Sequence, residues 1–513
     1  MRNMQRKIVL VSTILGFSIF LLLIAPTSAE STTWANTYGG TGIDVVYSMI
    51  KTLDGGFALA GVSNNDFWLL KVSASGNMEW SRTYGGPSSE VAYSLIQTSD
   101  RGYALAGETC SFGAGGVSGP IPCSDYWLVK TDATGIMEWN KTYEGTLNDY
   151  ANALIQTKDG GYALAGAYNS SDVSFGHIFE SNYVFDESLF WLIKTDISGN
   201  MEWNQTYRNR PYLNIAYSLV GTSDGGYALV GSTANAYKPS YSYDAVCWFL
   251  KTDSLGGVIW SQTYDKAKSI PGSPFTSTVA RSLIITSDDG YALAGNSYSG
   301  IDSDFWLLKT NAEGNQVWNQ RYAEVGLDKA YALAETPEGG YAFAGAKDLA
   351  DEIISSIWVH HSVFCLVKTD ASGSIEWKQT YAADGVNIPY AMVVTSDGGY
   401  ALAGRRDMNY NYTRQMQELN VDAWLIKTDK SGVAPVAAFV VPPPTPTLSP
   451  TPYVPQPSPK QSSNPSNPPS TNTPTSYPSI SPTPTVPEIQ TITTVVILSI
   501  GTAIGLYMRV KKN

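Results

Sequence analysis

Few residues in this chain are equipped for chemistry. It has three histidines, His177, His360 and His361, and a zinc centre would need several such ligands at one point. His177 is far in sequence from the other two, so no shared metal site is expected. Of the four cysteines, Cys110 and Cys123 bracket a Gly/Pro-rich segment and are expected to pair in an oxidising compartment. Cys247 and Cys365 sit inside apolar runs and read as small buried hydrophobes. No G-x-S-x-G and no reactive cysteine motif is present, so nucleophilic catalysis lacks its parts. The expectation is a chain with no catalytic residue, no metal and no cofactor.

A polar register is more regular. Asp44, Glu90, Asp149, Asn214, Thr278, Asp328 and Asn387 each stand eight residues before a threonine that ends an apolar run. Two readings stay open. With these runs innermost in a ring, Asp44, Glu90, Asp149 and Asp328 ring the mouth of a channel and hold a cation or polar ligand. Alternatively the same side chains cap turns, since Asp and Asn bond to nearby backbone.

The elements that position these residues come from an internal repeat. W-x-x-T-Y occurs at Trp34, Trp80, Trp139, Trp203, Trp260 and Trp377, with Trp318-Asn-Gln-Arg-Tyr322 as the seventh copy. A D-G-G-Y-A-L-A-G string or close variant ends at Gly61, Gly107, Gly166, Gly231, Gly295, Gly345 and Gly404. Between them recurs an apolar run such as Trp127-Leu-Val-Lys130. Each unit reads as four strands, a to d. The D-G-G turn joins a to b, and a T-D-x-x-G turn joins c to d. The copies predict an all-β fold, a seven-bladed β-propeller of four-stranded antiparallel blades. The first copy is a lone strand d, Thr32 to Tyr38, and the last stops after strand c at Thr428-Asp429. Together they complete one blade and close the ring, which leaves no open edge. His177 then falls in blade 3, with His360 and His361 across the ring in blade 6.

The b–c connections differ from copy to copy, with four residues at Val62 to Asn65 and 22 at Ala167 to Ser188. They are rich in aromatics, among them Tyr168, Phe175, Tyr183, Tyr241, Trp358 and Tyr410. Unlike loops with rigid aromatics suit binding, so this face is the expected ligand surface; the rival reading is a lid packed onto the ring. Sequons at Asn140, Asn169, Asn204 and Asn411 permit glycosylation.

Composition bounds the function class. The net charge is −12, with aromatics at 12% and charged residues at 15%. An acidic chain with pI near 4.8 lacks the basic footprint of a nucleic-acid binder. Residues 1–29 read as a signal peptide, with Arg2, Arg6 and Lys7 ahead of an apolar run. Residues 30–433 form the propeller. Residues 434–488 are dominated by Pro, Ser and Thr and read as an extended stalk. Residues 489–508 are apolar enough for a membrane anchor, and the basic tail 509–513 is expected inside, which puts the propeller outside the cell. A monomeric propeller anchored in the cytoplasmic membrane is expected.

Tyr-Gly-Gly, an acidic residue, strand a and D-G-G-Y-A-L-A-G together resemble the SBBP-type seven-bladed propeller repeat proteins of bacterial and archaeal cell surfaces, over about residues 31–432. The resemblance implies the fold and says little of function. Lys130-Thr-Asp-Ala-Thr-Gly-Ile-Met-Glu-Trp139 is also similar to the tryptophan-docking repeat of quinoprotein dehydrogenases, without a quinone-binding constellation. Pro487-Glu488 before an apolar run and a basic end resembles archaeal C-terminal sorting signals. The function expected is non-catalytic binding of a surface glycan or protein partner in adhesion or envelope organisation. The alternatives are an extracellular propeller enzyme, quinoprotein-like or polysaccharide-active, and a purely structural envelope component.

Overall fold

The structure is a computed structural model. It describes residues 33–113, 124–145, 148–170, 188–210, 213–237, 242–265, 276–299, 302–323, 326–354, 357–381, 385–407 and 421–435. The chain divides into two units, and every described residue belongs to the first, Met1–Phe439 with Gly501–Asn513.

All described regular structure is strand. One sheet holds β2 (Asp44–Lys51), β3 (Phe57–Ser63), β4 (Asp66–Val72) and β5 (Met78–Tyr84). The next holds β6 (Glu90–Gln97), β7 (Tyr103–Thr109), β8 (Asp125–Thr131) and β9 (Met137–Tyr143). Then come β10 (Asn148–Gln156), β11 (Tyr162–Ser170), β12 (Leu189–Thr195) and β13 (Met201–Tyr207). β14 (Leu213–Gly221), β15 (Tyr227–Tyr237), β16 (Ser242–Thr252) and β17 (Val258–Tyr264) form an antiparallel unit. One parallel bridge, Ala245 to Ser277, joins it to β18 (Thr276–Ile285), β19 (Tyr291–Ser299), β20 (Ser303–Thr310) and β21 (Gln316–Tyr322), so these eight strands count as one sheet. β22 (Lys329–Glu335), β23 (Tyr341–Ile354), β24 (Ile357–Thr369) and β25 (Ile375–Tyr381) follow. The last sheet has the order β1-β28-β27-β26, from β26 (Asn387–Val394), β27 (Tyr400–Asp407), β28 (Val421–Lys427) and β1 (Trp34–Tyr38).

The chain's first strand thus completes its last sheet. β1 runs antiparallel to β28 from Trp34 opposite Lys427 to Tyr38 opposite Ala423. The first strand of each four-stranded unit lies beside that of the next, β2 by β6, β6 by β10, and so on to β22 by β26, and β26 returns to β2. Four-stranded antiparallel units in this arrangement make a β-propeller.

Each pair of neighbouring units shares one hydrophobic layer. Ala58, Ala60, Phe67 and Leu69 of one unit meet Leu95, Tyr103, Leu105 and Trp127 of the next. Strand b alternates a large residue on one side with a small one on the other, alanine except at Val230, so a large face meets a smaller one. Ala401, Ala403 and Leu425 meet Phe57, Leu59 and Leu70 by the same rule, across the junction that β1 closes.

The recurrent Tyr of W-x-x-T-Y latches each unit to the next. Tyr84 Oη donates to Gly135 O at 2.6 Å, Tyr143 to Gly199 O at 2.8 Å and Tyr207 to Gly256 O at 2.8 Å. Tyr381 donates to Gly432 O at 2.5 Å, and Tyr38 to Gly76 O at 2.7 Å. The acceptor glycine closes the c–d turn. At Gly135, φ is +78° and a Cβ would lie 2.6 Å from the Trp80 ring, so only glycine serves there. The glycine that ends each strand-b string has a different reason: at Gly107 a Cβ would stand 1.9 Å from Val91 O, beside a register shift in strand a.

Two connections differ from the sequence expectation. In the fourth unit β15 and β16 continue as a paired hairpin to Tyr237 opposite Ser242. In the sixth, β23 and β24 continue to Ile354 opposite Ile357, which places Trp358, His360 and His361 in a strand and not in a loop. The apolar and β-branched run Ile357-Trp-Val359 favours strand. The segments read as signal peptide and anchor, and the stalk beyond residue 435, fall outside the described residues; Ala434, the first residue of the expected stalk, packs against the core of the last unit. Among the described residues no helix is long and apolar enough to cross a membrane.

Candidate functional site

The polar register sits at the start of each strand a, and its side chains are almost wholly buried, 1% exposed at Asp44 and 0% at Glu90, Asp149, Asn214, Thr278, Asp328 and Asn387. Their partners are largely backbone groups of the connections. Asp44 Oδ2 accepts from Gly40 N at 2.8 Å and Glu90 Oε2 from Gly86 N at 3.0 Å. Asn214 Oδ1 accepts from Asn209 N at 3.1 Å and its Nδ2 donates to Ser188 O at 2.9 Å. Asn387 Nδ2 donates to Ser362 O at 3.1 Å. Thr278 Oγ1 donates to Asp265 Oδ1 at 3.2 Å. The backbone of the same positions stitches neighbouring units: Glu90 N donates to Asn65 O, and Asp149 N to Ser124 O, both at 2.7 Å. In these positions the register acts as a loop clamp.

Asp328 departs from that pattern. Its Oδ1 accepts from Asp348 N at 3.1 Å, while Oδ2 is buried without a hydrogen-bond partner. Burial pushes its carboxyl up to about 8. Among the described residues no group of His, Cys, Asp and Glu gathers as a metal site would require.

A second register, three residues on, faces the axis around which the strands a gather. It holds Tyr47, Tyr93, Asn152, Tyr217, Arg281, Tyr331 and Tyr390, each half-buried. The register shift in each strand a sets the exchange: the clamp points between units, and the residue three positions later, which the shift leaves without an opposite residue on strand b, points to the middle. Tyr47 meets Tyr93 at 5.4 Å and Tyr390 at 4.9 Å between ring centroids, and Tyr331 meets Tyr390 at 5.1 Å. The Arg281 guanidinium lies over Tyr217 at 5.9 Å and over Tyr331 at 5.4 Å. Burial raises the hydroxyls of Tyr47, Tyr217 and Tyr331, so they stay protonated and can donate. Tyr93 Oη donates to Glu108 Oε1 at 2.6 Å, and the buried Tyr390 Oη has no partner. The sequence analysis missed this collar. Its signal was the tyrosine in five of seven copies at one position of strand a, hidden because tyrosine also suits a packed strand.

Of the aromatics expected on the variable face, Tyr168 is half-buried and its ring packs on Trp191 at 4.9 Å. At this one residue the contact is that of a packed lid. Phe175, Tyr183, Tyr241 and Tyr410 lie outside the described residues, and so does the Trp358 side chain. Asn140 and Asn204 are exposed on β9 and β13, and each Oδ1 accepts from a tryptophan Nε1, of Trp127 and of Trp191, at 3.2 Å. The Asn169 side chain and Asn411 are outside the described residues. Cys110 is half-buried and its N–H donates to Ser89 O at 2.9 Å, while Cys123 falls outside the described residues. Cys247 and Cys365 are buried in strands, and burial pushes both thiols up, Cys365 to about 12, which keeps them from acting as thiolates.

No family model matches the chain, and no curated protein is significantly similar to it. Solved structures of similar fold include the Pan2 WD40 domain of Neurospora crassa, at 9% identity over 78% of this chain and 96% of that one, with a TM-score of 0.42. YCF48 bound to D1 peptide is similar at 11% identity over 77% of this chain and 96% of that one, TM-score 0.40. An ancestral GH74 enzyme is similar at 10% identity over 74% of this chain and 46% of that one, TM-score 0.41. No shared ligand or activity follows from similarity at that level.

Proposed function

We propose that this chain is a non-catalytic propeller of seven blades displayed on the cell surface, and that the end carrying its b–c connections binds a glycan or protein partner in adhesion or envelope organisation. The observation that carries this reading is the asymmetry between the two ends of the ring. At one end the a–b and c–d turns are nearly uniform, and the c–d turns are occupied by the tyrosine latches. At the other end the hairpins differ: β3 and β4 have 7 residues each, while β23 and β24 have 14 and 13. Uniform turns serve the scaffold, and unlike connections on a rigid scaffold are where binding resides.

The membrane anchor, the outward orientation, the monomeric state and a Cys110–Cys123 bridge belong to the same proposal. A glycan and protein-partner array separates the outcomes. It compares the wild-type chain with one whose segment between β11 and β12 is cut to the length joining β3 and β4. Loss of a retained ligand on shortening assigns it to that connection. Equal retention by both chains removes the third unit from the site, and no retention by either favours a structural envelope role.

A further inference from the structure

The polar groups at the ring axis are distributed unevenly. The residue that follows the clamp position also faces the middle. It is Val45, Val91, Ile215, Val279 and Ile388 in five units, and Tyr150 in a sixth. In the remaining unit it is Lys329. Arg281 occupies the collar on the neighbouring strand β18, which lies directly beside β22. A chain of net charge −12 therefore sets two cations side by side on its axis.

Among the described residues no salt bridge joins a carboxylate to Arg281 or to Lys329. The Lys329 backbone pairs with Ala346 in the ladder, and on its half-buried ammonium the Arg281 guanidinium acts as a like charge and the Asp348 carboxylate as an opposite one. Arg281 donates to a neutral acceptor, Asn296 Oδ1, and its guanidinium is sandwiched by Tyr217 and Tyr331. The next cation, Arg405, is already held by Asp407 at 2.7 Å. Burial and the neighbouring guanidinium lower Lys329 to about 8, a cost that a bound anion would offset. The nearby Tyr390 Oη is a buried hydroxyl without a partner.

We propose that Arg281 and Lys329 bind the carboxylate of an acidic saccharide at the ring axis, with Tyr217 and Tyr331 holding the guanidinium in place. This rests on the glycan-binding reading and gives it a ligand class. A guanidinium holds a carboxylate with charge-assisted hydrogen bonds. Strands a begin at the end that carries the b–c connections, so the ligand enters from the proposed binding face.

The test is calorimetric titration of the purified full chain with a glucuronate oligosaccharide, a glucose oligosaccharide of the same length, and inorganic phosphate. The expected result is binding of the glucuronate oligosaccharide alone, weakened about tenfold or more by Arg281→Gln and by Lys329→Gln. Arg281→Lys retains the charge and is expected to recover part of the loss. If a glutamine variant does not fold, the salt dependence of wild-type binding replaces it, and affinity that ignores rising salt overturns the site. The proposal is also overturned if glucose or phosphate binds as tightly as the glucuronate chain, if both glutamine variants bind normally, or if the glucuronate chain does not bind. In the last case a neutral glycan or a protein partner still retained by the array leaves the wider reading standing, and retention of neither removes both.

Discussion

At the scale of single residues, the clamp at the start of strand a is filled by different chemistry in different units, which makes Asp328 informative. Asn214 and Asn387 hold the same position with an amide whose Nδ2 donates to Ser188 O at 2.9 Å and Ser362 O at 3.1 Å. Asp328 brings a carboxylate to an equally buried place and leaves Oδ2 unpaired. Its folded-state carboxyl is raised from 3.8 to about 8. Between those values the folded chain keeps a proton that the unfolded chain has released, so stability falls as pH rises through that window. Asp328→Asn removes this slope and supplies an amide donor beside Ser303, whose O already accepts from Asp328 N at 2.6 Å. The expected outcome is a gain of about 1 kcal/mol at neutral pH and a flatter stability profile between about pH 4 and 8. Denaturant titrations of both chains across that range check it. A variant that is less stable, with the pH slope unchanged, would show that the carboxylate carries a role the amide cannot take.

At the scale of elements, the junction between the last sheet, which β1 completes, and the first is built from the same parts as every other. Tyr38 Oη donates to Gly76 O as Tyr143 Oη donates to Gly199 O, and Asn36 Nδ2 adds a bond to Gly76 O at 2.9 Å. Tyr38→Phe and Tyr143→Phe are each expected to cost about 1 kcal/mol. Trp34→Ala is expected to cost about 3 kcal/mol, near the low end for a large aromatic because Trp34 is only half-buried. Thermal unfolding of the three variants measures this; a neutral Trp34→Ala would mean that β1 does not hold the ring closed. Much of this level was legible in the sequence. W-x-x-T-Y, D-G-G and T-D-x-x-G mark strands and turns because the glycines answer to local backbone geometry, which spacing records. The missing strand d after Thr428 pointed to β1 for the same reason. What faces the axis was not legible. Tyr47 and Tyr331 have the residue type of any packed strand, and only the register shift inside each a–b pair, such as that between Val46 and Ser48, fixes which side they take. The extension of β23 and β24 was not legible either, since Asp351 and Glu352 interrupt the apolar pattern ahead of Ile357-Trp-Val359.

At the scale of the molecule, the propeller and the rest of the chain obey different physics. The described units bury continuous apolar layers between sheets, whereas 434–488 is dominated by Pro, Ser and Thr and has too little apolar surface to build such a layer. At about 3.1 Å per residue an extended segment of that length reaches roughly 170 Å. The segment 489–508 is apolar, and Arg509, Lys511 and Lys512 follow it, the distribution on which the proposed outward orientation of the propeller rests. Orientation and reach then lead to one expectation. On the proposed orientation, protease added to intact cells should cut within the Pro/Ser/Thr-rich segment and release a fragment of propeller size beginning near Glu30. The compact sheets, with their tyrosine latches and buried layers, should resist cleavage under the same treatment. Mass measurement of the released fragment reads both termini at once. A fragment that retains the basic tail would place the anchor elsewhere, and a chain wholly protected while other surface proteins are digested would place the propeller inside the cell, where a surface glycan is not its ligand.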